Sequence, residues 1–533
     1  MKRIIYFFVT ACILLTSSCS DFLEEYSQDL SRVRSYEDLN EILIGNAYLS
    51  SGLVVNEGYY INVYNPNYMI LHLMTDELSE NSFSYDLNSY GGLMRDEMFP
   101  YFTWQQNVCL NYENRSVYES QEAWFFNKAY SSIATCNMVL YEVDNLTPSN
   151  ADEEFQRDKI KGEAYFLRAL YYQLLVNLYA EPYNPSTAAQ TPGVPLKVSE
   201  KIEDMEYERN SVQDVYNQVV SDLEKAEQYL KNVHKPYSIQ HAGINAVYIL
   251  RSRVALFMQD WQNAKKYAEL SIQENSYLRD ISKGSFEGSF IEPKNEEITF
   301  VMGGAAFGNI NFTRPGETYY GTIYSPNWII SDHLYNLYEE GDARRDIFFG
   351  REYGENNLPY YQKIDISFSN LGIYKTVSDQ FCYRSAEAYL NAAEAEAQLG
   401  NDQAALQHLN KLRAARIKNN SNVSASGAQL IQIIRDERQR ELCLEGVRWF
   451  DMRRYTVDPK YKQVETVKHS YSVYKLELYS TVKSEMATYE LKSDDGGMVL
   501  DIPKSVREFQ NTIGGNARPE RKADIITSML LSK

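Results

Sequence analysis

Apolar residues recur at three- and four-residue intervals over residues 119–143 and 152–179, which predicts two long amphipathic helices. The same spacing over 212–230 follows Asn210 and Ser211, so a third helix is expected with Ser211 as its N-cap. Residues 35–44 read as a first short helix, and 329–340 and 428–455 complete the helical set.

Three stretches share a finer pattern: 162–175, 245–264 and 385–405. In the second and third, an aromatic (Tyr248, Tyr389) is followed four residues on by a small residue (Ser252, Ala393). Ala264 or Ala405 then follows a turn at Gln259-Asp260 or Gly400-Asn401. Small residues let two helices cross closely and the aromatic fills the gap beside them, which is the signature of a tetratricopeptide helix pair.

Between the helices lie long stretches without helical period. Residues 52–111 are rich in Tyr, Asn, Gly and Ser, 181–208 are punctuated by Pro182, Pro185, Pro192 and Pro195, and 281–327 are rich in Gly, Asn and aromatics. Residues 460–502 alternate apolar and polar positions around Asp494-Asp495-Gly496-Gly497 and read as β-hairpin material. Loops this long in a compact helical protein are normally functional. The expected fold is mainly α: a tetratricopeptide-like helical repeat scaffold with a loop-rich half carrying short β-hairpins.

The N-terminus has its own pattern. Lys2 and Arg3 precede an apolar run over residues 4–15, then Thr16, Ser17, Ser18 and Cys19. The run is too short to span a bilayer, and small residues before a Cys suit cleavage and lipidation. Residues 1–18 are thus expected to be a lipoprotein signal peptide, Cys19 the lipid acceptor and 19–31 a tether. An ordinary secretory signal is the plainer alternative. No later apolar run approaches the length of a membrane-spanning helix.

A net charge of −19 over 533 residues argues against nucleic acid as a partner, because that binding neutralises phosphates. After Cys12 and Cys19, the cysteines Cys109, Cys136, Cys382 and Cys443 are scattered with no CxxC. They read as buried thiols, with one disulfide as the alternative. His72, His234, His241, His333, His408 and His469 show no metal-ligand spacing, and no GxSxG or phosphate loop is present, so no metal and no cofactor is expected. Carboxylates abound, yet no motif singles out a pair for glycoside hydrolysis.

Tyrosine is abundant, at 44 residues against five tryptophans. Its flat face and edge hydroxyl suit sugar rings as well as helix packing. The tyrosines on loops carry the functional reading: Tyr85 and Tyr90 in 81–92, and Phe312, Tyr319, Tyr320 and Tyr324 beside Arg314 in the later loop. Rings on Gly- and Asn-rich loops can stack on a sugar face while Asn, Asp and Arg bond its hydroxyls. Trp104 and Trp328, the latter at an expected helix start, read as packing anchors. The charge-dense run 435–454 reads as a structural network in which Asp436 meets Arg440 and Glu445 meets Arg448, with Trp449 and Phe450 packed against the repeats.

Several segments together resemble the SusD/RagB family of outer-membrane nutrient-binding lipoproteins. They are Cys19-Ser-Asp-Phe-Leu-Glu24, Gly162-Glu-Ala-Tyr-Phe-Leu-Arg-Ala-Leu-Tyr-Tyr172, Val215-Tyr-Asn-Gln-Val-Val-Ser-Asp-Leu-Glu-Lys-Ala226, Asn295-Glu-Glu-Ile-Thr-Phe300 and Ile502-Pro-Lys-Ser-Val-Arg-Glu508. The most specific is Arg435-Asp-Glu-Arg-Gln-Arg-Glu-Leu-Cys-Leu-Glu-Gly-Val-Arg-Trp-Phe-Asp-Met-Arg-Arg454. The tail from Asn511 departs from the family's fuller ending. The resemblance implies one SusD-like domain over 32–533, lipid-anchored on the cell surface at the outer membrane, as in Bacteroidetes. It implies no catalytic step, and delivery of an oligosaccharide to a SusC-like TonB-dependent transporter. A peptide-binding RagB-like member and a helical glycoside hydrolase are the alternatives. The ligand is expected between the Tyr85–Tyr90 and Phe312–Tyr324 loops, with the repeat surface left to the transporter.

Overall fold

A computed structural model describes residues 33–49, 54–56, 60–62, 70–81, 90–117, 119–201, 203, 205–284, 288–304, 318–319, 322–323, 327–351, 358–364, 377–477 and 480–527. It is mainly helical. Helix α1 (Tyr36–Ile42) starts on a capping box between Ser35 and Asp38 and runs on into a π-turn, Leu43–Ala47. Helix α2 (Tyr90–Phe102) lies inside a stretch expected to be irregular, and it contains Pro100. Its apolar residues Met98, Phe99 and Phe102 are buried, so tertiary packing overrides the Gly and Pro signals.

Helices α3 (Glu119–Asn145), α4 (Ala151–Tyr179) and α5 (Val212–Leu230) match their apolar periods closely. Asn150 caps α4 by accepting from the Glu153 amide at 2.9 Å, and Asp152, Glu153 and Glu154 face the positive end of the helix dipole. Ser211 caps α5, accepting from the Asp214 amide at 3.0 Å. The helices α4 and α5 run antiparallel, with Gly162 against Leu230 and Arg168 doubly bonded to Asp222 at 2.9 and 2.6 Å.

The two repeat pairs form as expected: α6 (Ile244–Phe257) with α7 (Trp261–Glu274), and α8 (Ser385–Gln398) with α9 (Asp402–Ala414). Their turns use left-handed backbone at Gln259 (φ 61°) and Gly400 (φ 82°). Ala264 and Ala405 are fully buried where the helices cross. Arg253 joins the pairs through a two-point contact with Glu387, both bonds 2.7 Å.

The expected helix over 428–455 is two helices, α10 (Gly427–Leu442) and α11 (Arg448–Tyr455). Leu444 (φ 54°) and Gly446 (φ 75°) turn the chain between them, and a Cβ on Gly446 would meet the Gln380 backbone at 3.0 Å. The expected helix over 329–340 is instead a strand followed by the short helix Asp332–Asn336, so Trp328 stands in a strand and not at a helix start.

Two short ladders pair strands across long separations. Strand β1 (Leu78–Glu80) pairs antiparallel with β3 (Trp328–Ile330), and β2 (Ile298–Val301) with β4 (Cys382–Arg384). The long hairpin β5 (Thr466–Glu477) and β6 (Ser480–Lys492) is joined by β7 (Asp524–Thr527) on its β6 edge. Its last paired residues are Glu477 and Ser480, so Asp494–Gly497 follow the hairpin. Cys136, Cys382 and Cys443 are buried free thiols, and Cys109 is half-buried. Among the described residues no helix is long and apolar enough to cross a membrane.

Candidate functional site

The β1–β3 ladder fixes where two long segments begin and end. Leu78 faces Ile330, Ser79 faces Ile329 and Glu80 faces Trp328. The Asn81 amide then donates to the Asn327 carbonyl at 2.8 Å. In the chain, residues 82–89 follow Asn81 and residues 305–326 precede Asn327, so this bond joins the ends of the two stretches. The two aromatic-bearing stretches therefore share a root.

That root is rigid. Glu80 accepts from Arg95 Nε on α2 and from the Ser472 amide on β5, each at 2.7 Å. The Arg95 guanidinium lies 3.9 Å from the centroid of the Tyr471 ring. Trp104 donates its indole N–H to the Met74 carbonyl at 2.9 Å, and with Phe102 it sandwiches His469 at ring separations of 4.4 and 4.0 Å. Trp104 and Trp328 are buried packing residues, as expected.

Of the sequence-derived ligand candidates, Tyr85, Phe312, Arg314, Tyr320 and Tyr324 lie outside the described residues, as does the lipid acceptor Cys19. The backbone of Tyr90 opens α2, and that of Tyr319 pairs with Thr322 in a small ladder.

Beside the same two strands opens a cleft of about 620 Å³. Leu78 and Ser79 of β1, Ser331 to His333 after β3, the start of β5, and Gln432, Asp436 and Gln439 of α10 form its walls. A smaller hollow of about 150 Å³ shares Ser79, Lys468 and His469 with it and extends to Glu80. The groove therefore runs along β1 toward the root of both loops.

Its polar centre is Asp76. Arg448 donates to it from Nε (2.9 Å) and Nη2 (2.6 Å), Gln439 donates at 3.2 Å, and His333 Nε2 stands 3.2 Å away. Arg448 also bonds Glu465, to which Gln463 donates at 2.8 Å. Burial would raise the Asp76 pKa, but the Arg448 guanidinium and His333 hold it far below the usual carboxylate range. Burial raises Glu465. The hydrogen bond to Asp76 raises His333. Carboxylates, amides, a guanidinium and an imidazole on one groove offer donors and acceptors for a hydroxyl-rich ligand. No cluster of three or more His, Cys, Asp or Glu able to hold a metal occurs among the described residues.

Sequence reasoning missed this groove. Asp76 and Glu465 carry no local motif, and their approach depends on a contact between segments nearly 400 positions apart. The expected ion pairs in 435–454 also differ. Arg440 bonds Glu437 at 2.8 Å, Asp436 accepts from Gln432, and Glu445 lies in the bend between α10 and α11, where Arg384 and Lys363 bond it. The reading of the run as a structural network holds, and Phe450 packs on Phe257 of the repeats at 6.4 Å between ring centres.

A family model described as SusD family matches residues 226–505, more than half of the chain. The chain belongs to the SusD family. A second model, described as starch-binding associating with outer membrane, matches 69–256. Two SusD-like proteins of Formosa agariphila are similar, one 23% identical over 62% of this chain and 71% of its own length, the other 25% identical over 62% and 69%. Among solved structures, a SusD-like carbohydrate binding protein from Bacteroides vulgatus superposes with a TM-score of 0.65 at 21% identity, covering 90% of this chain and 98% of its own. A SusD superfamily protein from Bacteroides thetaiotaomicron gives 0.66 at 19% identity over 91% and 100%. These likenesses agree with the helical-repeat fold. In this SusD family chain the segment 435–454 holds the second half of α10, the bend and nearly all of α11, and it supplies Gln439 and Arg448 to the groove.

Proposed function

We propose that this protein binds oligosaccharide at the cell surface and passes it to a SusC-like TonB-dependent transporter of the outer membrane. Residues 1–18 are removed, lipid on Cys19 anchors the chain, 19–31 form the tether and 32–533 act as one SusD-like domain. The observation that carries this reading is the Asn81–Asn327 bond, which brings one end of each aromatic-bearing stretch together beside a polar groove. Rings on the loops can stack on sugar faces, and side chains of the groove can bond hydroxyls. The family description as starch-binding and the carbohydrate-binding structural relative favour a glycan over other ligands. Helical repeats offer a broad, pre-formed surface suited to a large protein partner. The protein acts by binding, with no chemical step.

The test is calorimetric titration of the purified protein with a panel of oligosaccharides, repeated on a variant with Tyr319, Tyr320 and Tyr324 all changed to Ala. Each stacked ring contributes on the order of 1 kcal/mol, so affinity should fall about ten-fold or more. Melting temperature should hold. Unchanged affinity with a large loss of thermal stability would make these rings packing residues. Steady product release from the panel would replace the binding reading with an enzymatic one.

A further inference from the structure

A second pocket, of about 440 Å³, lies between the end of α2, the start of α3 and the C-terminal segment. It shares no lining residue with the groove at Asp76. Arg518 and Tyr101 line it, with Lys504, Arg507, Glu122 and Cys109.

Arg518 is 6% exposed, yet its guanidinium is barely engaged. Nη2 donates to the Gly497 carbonyl at 3.2 Å, while among the described residues neither Nε nor Nη1 has a hydrogen-bond partner. The acids nearest to it are committed elsewhere. Asp495 is paired to Arg521 at 2.7 Å, and Asp501 is held by Arg507 at 3.0 Å and by the Asn516 amide at 2.6 Å. Burial without a paired carboxylate brings the Arg518 pKa down to about 10, so the group stays charged at neutral pH. Buried cations are almost always paired, and an unpaired one is costly.

Tyr101 is 4% exposed and its hydroxyl has no hydrogen-bond partner among the described residues. The charges that act on it are those of Glu122, Cys109 and Arg518, all of this pocket. Glu122 is already occupied, accepting from the Cys109 thiol at 3.4 Å and the Lys504 amide at 3.3 Å. Arg518, with Nη1 unbonded, and Tyr101, with its hydroxyl unbonded, thus line one cavity of small-ligand size.

We infer that this pocket binds an oxyanion, a carboxylate or sulfate group, with Arg518 supplying charge and Tyr101 a hydroxyl donor. A guanidinium N–H makes a charge-assisted hydrogen bond to an oxygen of such a group. The anion is free in solution or is the acidic group of a sugar, and both share this chemistry. The inference stands independently of the loop site.

Titration of the purified full-length protein with sodium sulfate, sodium glucuronate and glucose tests it. Both anions should bind at one site and glucose should not. Tyr101→Phe, which breaks no bond within the protein, should weaken both anions about five-fold, the loss of one hydrogen bond, with melting temperature unchanged. Arg518→Gln should abolish binding. Equal affinity for the two anions supports a bare oxyanion site, and tighter glucuronate supports an acidic sugar unit. Absence of anion binding overturns the inference. Unchanged affinity in Tyr101→Phe does so as well, and that variant decides the matter if Arg518→Gln fails to fold.

Discussion

Arg416 and Glu441 meet as a two-point ion pair, Nε to Oε2 at 3.0 Å and Nη2 to Oε1 at 2.9 Å, with neither side chain reaching solvent. Glu441 also takes bonds from Arg384 and Arg344, and Arg384 and Arg416 both reach Glu297. This buried network joins α10 to β4, to α9's end and to the segment before β2. It depends on α10 stopping at Leu442, because the following bend carries Glu445 back to Arg384.

Replacing Glu441 by Gln should destabilise the fold strongly. Removing one partner of a buried pair typically costs about 3–5 kcal/mol, since the opposite charges remain buried. Burial alone would raise the Glu441 pKa, but Arg416, Arg384 and Arg344 hold it well below its usual 4.5. A carboxylate depressed in the folded state adds stability above the unfolded pKa and loses it as pH falls below. Urea unfolding at pH 7 should show the large difference between wild type and variant, and the gap should narrow below pH 4.5. A gap independent of pH would mean that the carboxylate charge is not the stabilising element.

Gly162→Ala should destabilise, against the usual helix preference of Ala over Gly of about 1 kcal/mol. A Cβ there would run into Leu230 Cγ and lie 3.2 Å from Tyr229 Cβ, at the end of α5. Overpacking of this kind costs about 1–3 kcal/mol. The double variant with Leu230→Ala should behave better than the sum of the two single changes. Strict additivity in melting experiments would show that the two positions do not clash.

The elements that could be read from the chain are those whose cause is local. Ser211 and the apolar spacing of 212–230 define α5, and the Tyr389, Ala393 and Ala405 spacing defines the second repeat pair. What could not be read depends on distant partners. The residues Trp328 to Ile330 carry a helix-like apolar pattern, but their strand forms because Leu78 to Glu80 pair with them. The α10–α11 bend needs Leu444 and Gly446 in left-handed backbone, and only Gly446 hints at it in sequence. The loop tyrosines were recognisable as candidates from composition, whereas the Asp76–Arg448–Glu465 groove beside their root exists only through tertiary contact.

Cys19→Ala should release the protein from the membrane fraction with its fold unchanged. The position precedes α1 and the whole described core in the chain. Fractionation followed by circular dichroism of the soluble variant checks both parts. Incorporation of radiolabelled fatty acid into the variant would assign the lipid to another residue.

His333 should titrate above its usual 6.5, and Asp76 should be the reason. Its Nε2 stands 3.2 Å from Asp76 Oδ2, and that hydrogen bond favours the imidazolium. Burial and the Arg448 charge oppose it, while Glu465 adds a smaller pull in the same direction as Asp76. A histidine whose folded pKa is raised contributes stability that is full below the unfolded pKa and lost as pH rises through the folded one. The side chain is 53% exposed, so solvent screening keeps that contribution below about 1 kcal/mol. The direct observable is therefore the titration itself. In proton NMR the His333 ring signals should have a midpoint above 6.5 in the wild type. Asp76→Asn should shift that midpoint down, because the charge and the acceptor geometry both weaken. Raising the salt concentration should lower the wild-type midpoint only in part, since the hydrogen bond survives screening while exposed charge effects do not. An Asp76→Asn midpoint equal to that of the wild type would show that the imidazole and the carboxylate do not communicate, and that the His333 side of the groove is set by solvent alone.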